Sequence, residues 1–149
     1  MATAVTGQSL EVRRRIAAPP EDVFDAWTTP EVLTRWFSPT TNHAVIVHLV
    51  DARVGGRYRI EMRHTSGKSH IAVGEYREMQ RPSRLAFTWR WEGSPMADSL
   101  VTLDFLDDRR GGTDLVLTHS QFATVAERDN HLEGWTLCLG RLDALWPAS

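Results

Sequence analysis

Between Ala44 and His119 this 149-residue chain shows no long helical period, only short strand-like runs separated by turn residues. The runs are Val45 to Val50, Arg57 to His64, His70 to Met79, Arg84 to Trp91, Leu100 to Leu106 and Asp114 to His119. Gly55-Gly56, Ser66-Gly67, Pro82-Ser83, Gly93-Ser94-Pro95 and Gly111-Gly112 punctuate them. Sequential strands on such short connections predict an antiparallel meander. One face of it alternates clearly: Tyr58, Ile60, Met62 and His64; Leu85, Phe87, Trp89 and Trp91; Val101, Leu103 and Phe105; Leu115, Leu117 and His119.

A different period follows. Thr124-Val125-Ala126-Glu127 has the form of a capping box and opens a helix that runs to about Trp146, before Pro147. Leu132, Trp135, Cys138, Leu139, Leu142, Leu145 and Trp146 fall on one side of it, so that side must be buried. Leu137 lies outside the stripe, and Gly134 and Gly140 each weaken the helix by roughly 1 kcal/mol, which suggests close packing or a partner surface there. Leu137, with outward residues such as Val116, is the candidate surface for a homodimer.

Before the meander, Leu10, Val12 and Ile16 alternate with Glu11, Arg13 and Arg15 as a half-buried strand. Pro19-Pro20 ends it and starts one short helix; Thr29 as N-cap with Pro30 starts a second. The expected class is therefore α+β: a curved antiparallel sheet of about six or seven strands wrapped around a long C-terminal helix, with two short helices after the first strand. It forms one domain over residues 1–149, with residues 1–8 as a flexible lead-in.

Composition excludes several function classes. The formal net charge is −2 with both signs interspersed, so no basic field exists to attract nucleic acid. No apolar run reaches the roughly 20 residues of a membrane span, and Met1 to Gln8 lacks a secretory core, so the expected location is cytoplasmic without membrane insertion. One cysteine closes no bridge. His43, His48, His64 and His70 lack metal-motif spacing, no phosphate loop is present, and no Gly-x-Ser-x-Gly elbow occurs; neither metal nor cofactor is expected.

Ala18-Pro19-Pro20-Glu21-Asp22-Val23-Phe24 with Ala26-Trp27, Thr34-Arg35-Trp36-Phe37, Val54-Gly55-Gly56-Arg57-Tyr58, Arg84-Leu85-Ala86-Phe87-Thr88-Trp89, and Gly134-Trp135 with Leu139 and Leu142 together carry a resemblance. In these segments the chain resembles the activator of heat-shock-protein ATPase homologue (AHSA-like) family, within the START-like (SRPBCC) helix-grip superfamily that includes polyketide cyclases and lipid carriers. The resemblance implies a deep cavity between sheet and long helix for a hydrophobic ligand. The family's co-chaperone has a further domain, for which a chain beginning at the first strand is expected to have no room, so no chaperone contact is carried over.

Six tryptophans supply the candidate cavity wall. Trp36, Tyr58, Met62, Trp89, Trp91, Trp135 and Leu139 sit on the inward faces, with His64 and His119 at the strand ends as candidates to orient a ligand or exchange a proton. Each of the seven is equally compatible with ordinary core, and the two histidines more simply with surface or hydrogen-bonded core positions. The leading functional expectation is binding of a small hydrophobic or aromatic molecule. The alternatives are a polyketide cyclase or hydrolase type of enzyme using the same cavity, and a chaperone or stress-response interaction module.

Overall fold

The computed structural model describes the backbone of residues 2–6 and 8–147, and side chains from Gln8 to Pro147. The element order is β1 (Ala2–Thr6), β2 (Ser9–Ile16), α1 (Pro20–Thr28), α2 (Pro30–Trp36), β3 (His43–Val50), β4 (Arg57–His64), β5 (Ser69–Gln80), β6 (Arg84–Trp91), β7 (Ser99–Asp107), β8 (Thr113–Ser120) and α3 (Val125–Asp143). The strands form one antiparallel sheet in the order β1-β2-β8-β7-β6-β5-β4-β3. β3 to β8 are the expected meander, and β2 closes on β8 with Leu10 opposite His119 and Ile16 opposite Thr113.

Two expectations change at the ends. The segment expected to be a flexible lead-in pairs with β2 from Ala2–Arg13 to Thr6–Ser9, satisfying backbone groups that an edge strand would leave open. The last helix stops at Asp143, three residues short of Trp146. Its start keeps one half of the capping box: the Glu127 N–H donates to Thr124 Oγ1 at 3.1 Å, while Glu127 Oε2 is buried without a hydrogen-bond partner among the described residues.

The inward faces of the strands and helices meet in one core. α1 and α2 contribute Val23, Phe24, Trp27, Leu33 and Trp36, while β2, β7 and β8 contribute Leu10, Ile16, Leu103 and Leu117. α3 lies against β2 and touches α2. Its C-terminal end is tied down by Arg14, which points away from its neighbours Arg13 and Arg15 and pairs with Asp143 at 2.9 Å. Arg141 fixes the other side, bonding Ser38 and the Thr40 carbonyl after α2. Val116, considered for a shared surface, is only 6% exposed. It stands between Arg13 and Asp104 on the flanking strands. Leu137 is 44% exposed.

Candidate functional site

A cavity of about 230 Å³ lies between α3 and the inner surface of β4 to β6. Met62, Trp89 and Trp91 form the strand wall, and Trp135, Cys138 and Gly134 the helix wall. Phe37 and Pro39, at the end of α2, close one side. His43, His70, Asn130 and His131 complete the lining. The aromatic walls touch one another: the Trp89 and Trp135 rings are 5.1 Å apart and Trp89 and Trp91 are 5.3 Å apart.

Gly134 has a clear spatial meaning. A Cβ built there meets no atom within 4 Å, so the expected close packing is absent and the missing side chain leaves cavity space instead. A helix interior carries this glycine at a cost of about 1 kcal/mol relative to Ala.

Two hydrogen-bond chains hold the tryptophans. In the first, the Trp135 indole N–H donates to His119 Nδ1 at 2.9 Å, His119 Nε2 lies 2.6 Å from Ser99 Oγ, and the Ser99 hydroxyl donates to the Trp89 carbonyl at 3.0 Å. In the second, the Trp89 indole N–H donates to His131 Nε2 at 3.0 Å, and His131 Nδ1 lies 2.8 Å from the Glu127 carbonyl. Because an indole N–H only donates, the nitrogen it meets must be unprotonated, and the second ring nitrogen carries the proton. These partners thus assign the neutral tautomer of both rings. Burial drives the His119 imidazole well below its ordinary value, with His131 adding to the effect, and burial likewise lowers His131.

That tautomer decides the chemistry of Ser99 and His119. Their spacing resembles a nucleophile and its base, but the nitrogen facing Ser99 already bears a proton and the other is filled by Trp135. His119 therefore cannot take the Ser99 proton. Both residues are buried in the wall rather than lining the cavity. Cys138 does line it, yet burial pushes its thiol up to about 12, which leaves negligible thiolate at neutral pH.

Of the residues singled out from the sequence, Met62, Trp89, Trp91 and Trp135 line the cavity, and the other five do not. Trp36 is fully buried behind it, its indole N–H donating to the Ala26 carbonyl at 3.0 Å. Leu139 and His119 are also wholly buried in the core. The Tyr58 hydroxyl is spent on the Thr88 carbonyl at 2.5 Å. That contact requires Gly74: a Cβ there would stand 2.0 Å from the Thr88 oxygen and 2.6 Å from the Tyr58 hydroxyl. His64 sits beside the cavity, its ring 5.0 Å from that of His43.

Sequence reasoning passed over Phe37, Pro39, His43, His70, Asn130 and His131 as lining. Alternation does put His70 on the Met62 face once the hairpin register is known, since Met62 and His70 are directly opposed. Likewise His131 precedes Trp135 by one helical turn. Among the described residues no group of three His, Cys, Asp or Glu side chains could hold a metal ion, and no helix is long and apolar enough to cross a membrane.

A curved antiparallel sheet gripping a long C-terminal helix, with a cavity between them, defines a helix-grip protein. Within that class, residues 17–146 match the family described as activator of Hsp90 ATPase homolog 1-like protein, and the chain belongs to it. Protein CV1439 of Chromobacterium violaceum is similar over 95% of this chain and 99% of its own, with 28% identity and a TM-score of 0.86. The AHSA1 protein of Silicibacter pomeroyi is 25% identical, covering 91% of this chain and 95% of its own, with a TM-score of 0.79. CalU16 of Micromonospora echinospora is 29% identical over 90% of this chain and 73% of its own, with a TM-score of 0.68. No curated protein matches the chain.

Proposed function

We propose that this protein binds a small apolar or aromatic molecule in the cavity between β4 to β6 and α3, acting in the cytoplasm. The observation that carries this reading is the space left at Gly134 beside the tryptophan walls, which are held in place by hydrogen bonds rather than free to collapse inward. A rigid, mostly apolar concavity with a few polar groups is the usual form of a small-molecule site. Membership of a family with a ligand-binding fold supports the same conclusion.

Size narrows the class. At about 230 Å³ the cavity is below the roughly 300 Å³ at which typical ligand pockets begin, which favours a one- or two-ring compound over a long-chain lipid. The alternative of a cyclase-type enzyme loses His119 as an acid–base group, which leaves it the rim imidazoles His43, His64 and His70.

Tryptophan fluorescence tests the binding. Titration with naphthalenemethanol is expected to give saturable quenching with a Kd below about 1 mM. The variant Gly134→Phe, which places a ring in the open space, is expected to weaken binding at least tenfold while remaining folded. A panel of one- and two-ring compounds with no member binding in that range would sink the reading.

A further inference from the structure

Three imidazoles converge at the ends of β3, β4 and β5, beside the tryptophans. His43 is directly opposite His64, with ring centroids 5.0 Å apart, and His70 is directly opposite Met62 one strand further on. His43 and His70 line the cavity, and the His70 ring packs 5.6 Å from Trp91.

Their nitrogens are unevenly used. His43 Nδ1 meets Thr40 Oγ1 at 2.8 Å, which leaves Nε2 without a protein partner among the described residues. His64 Nδ1 accepts the Ser66 N–H at 3.0 Å, so its neutral ring carries the proton on Nε2. The His70 ring makes no hydrogen bond or ion pair with any described residue.

The charged groups acting on His43 are His64 from β4, His70 from β5 and Arg141 from α3, and every one of them is basic. Arg141 also bonds the Thr40 carbonyl at 3.1 Å, holding the loop whose hydroxyl positions His43. Burial and these neighbours together lower the His43 value. Protonating any of these rings sets it against the other basic groups, which disfavours a cation at the site. An anion would relieve the repulsion and fill the open hydrogen-bonding positions.

Resting on the cavity reading above, we propose that the ligand is an amphipathic carboxylic acid, its planar apolar body held by Trp89, Trp91 and Trp135 and its carboxylate met at the rim by protonated His43 and by a ring N–H of His70. The carboxylate raises the affinity of the His43 ring for a proton. Binding is therefore strongest below the His43 value of the free protein and weakens as pH rises past that of the complex. An ordinary carboxyl, with a pKa of about 4, stays ionised through that range.

Naphthoate and its neutral alcohol naphthalenemethanol separate the possibilities when titrated at about pH 5.5 and about pH 8. Naphthoate is expected to bind at least about tenfold more tightly at the lower pH, and the alcohol equally at both. His70→Gln, at an exposed position, and His43→Gln are each expected to remove several-fold of the acid's low-pH gain, read as the ratio of acid to alcohol affinity within each variant so that any change in the shared lining cancels. The variants also control for protonation of the ligand itself, which they would leave untouched. A naphthoate affinity that is flat with pH, or a gain that survives in both variants while the alcohol still binds, overturns the acid assignment and leaves the cavity reading standing. Failure of both compounds to bind removes the cavity reading and this inference with it.

Discussion

His119 and His131 lie behind and along the cavity wall, whereas His43, His64 and His70 lie at its rim, and the two groups differ in how their ring nitrogens are used. The inner pair have both ring nitrogens engaged, each accepting an indole N–H that fixes its tautomer. At the rim, His43 has one nitrogen engaged and His70 has none among the described residues. A buried, fully bonded imidazole acts as a rigid spacer that aims a tryptophan. A half-solvated one with an open nitrogen remains available to a ligand or a proton. Burial and partner geometry, rather than the presence of histidine, separate scaffold from candidate chemistry.

The largest expected effect falls on the inner group. His119→Leu leaves the Trp135 indole N–H without its acceptor and disturbs Ser99 inside a sealed core, so it is expected to destabilise the fold by about 2–4 kcal/mol, read from urea unfolding at neutral pH. A loss under about 1 kcal/mol would mean that the chain through Trp135 contributes little, and the contrast between the two groups would collapse.

The next effect is on the pH profile. Both inner histidines have lowered values in the folded state, so the unfolded chain binds their protons more readily. Their contribution is complete above the ordinary value of about 6.5 and declines as pH falls below it, with a slope approaching about 1.4 kcal/mol per pH unit for each ring. His131→Gln is expected to flatten the slope of unfolding free energy between about pH 6.5 and pH 5; an unchanged slope would mean that His131 protonates without cost in the fold.

The smallest effect belongs to the rim. His70→Gln removes a ring that is exposed and makes no hydrogen bond with a described residue, and its thermal or urea stability at neutral pH is expected to stay within about 0.5 kcal/mol of the parent. A larger loss would move His70 from the ligand side of the comparison to the structural side.

Much of this was legible in the chain before folding. The alternation in β4, β6, β7 and β8 marks the inward faces because side chains on a strand repeat every two residues. Thr124 with Glu127, and the stripe through Trp135, Leu139 and Leu142, announce α3 and its buried side. These are local rules with one strong solution. The wall residues Met62, Trp89, Trp91 and Trp135 lie within the inward set for the same reason.

Which inward residues face open space is a different question, because periodicity assigns a side and not a depth. Trp36 and Trp89 are both inward tryptophans, yet Trp36 turns its indole to the Ala26 carbonyl and vanishes into the core, while Trp89 turns to His131 and forms a wall. Tyr58 is drawn off by the gap over Gly74, thirty residues from its acceptor Thr88. Sequence alone settled the strand order of the meander, the gripping helix and the apolar character of the space between them, since these follow from short-range periods and short connections. Only the tertiary structure decided where the cavity remains, which histidines are sealed and which are open, because those depend on contacts between different elements, such as Trp135 with His119, Trp89 with His131 and Arg141 with Thr40, that no local pattern encodes.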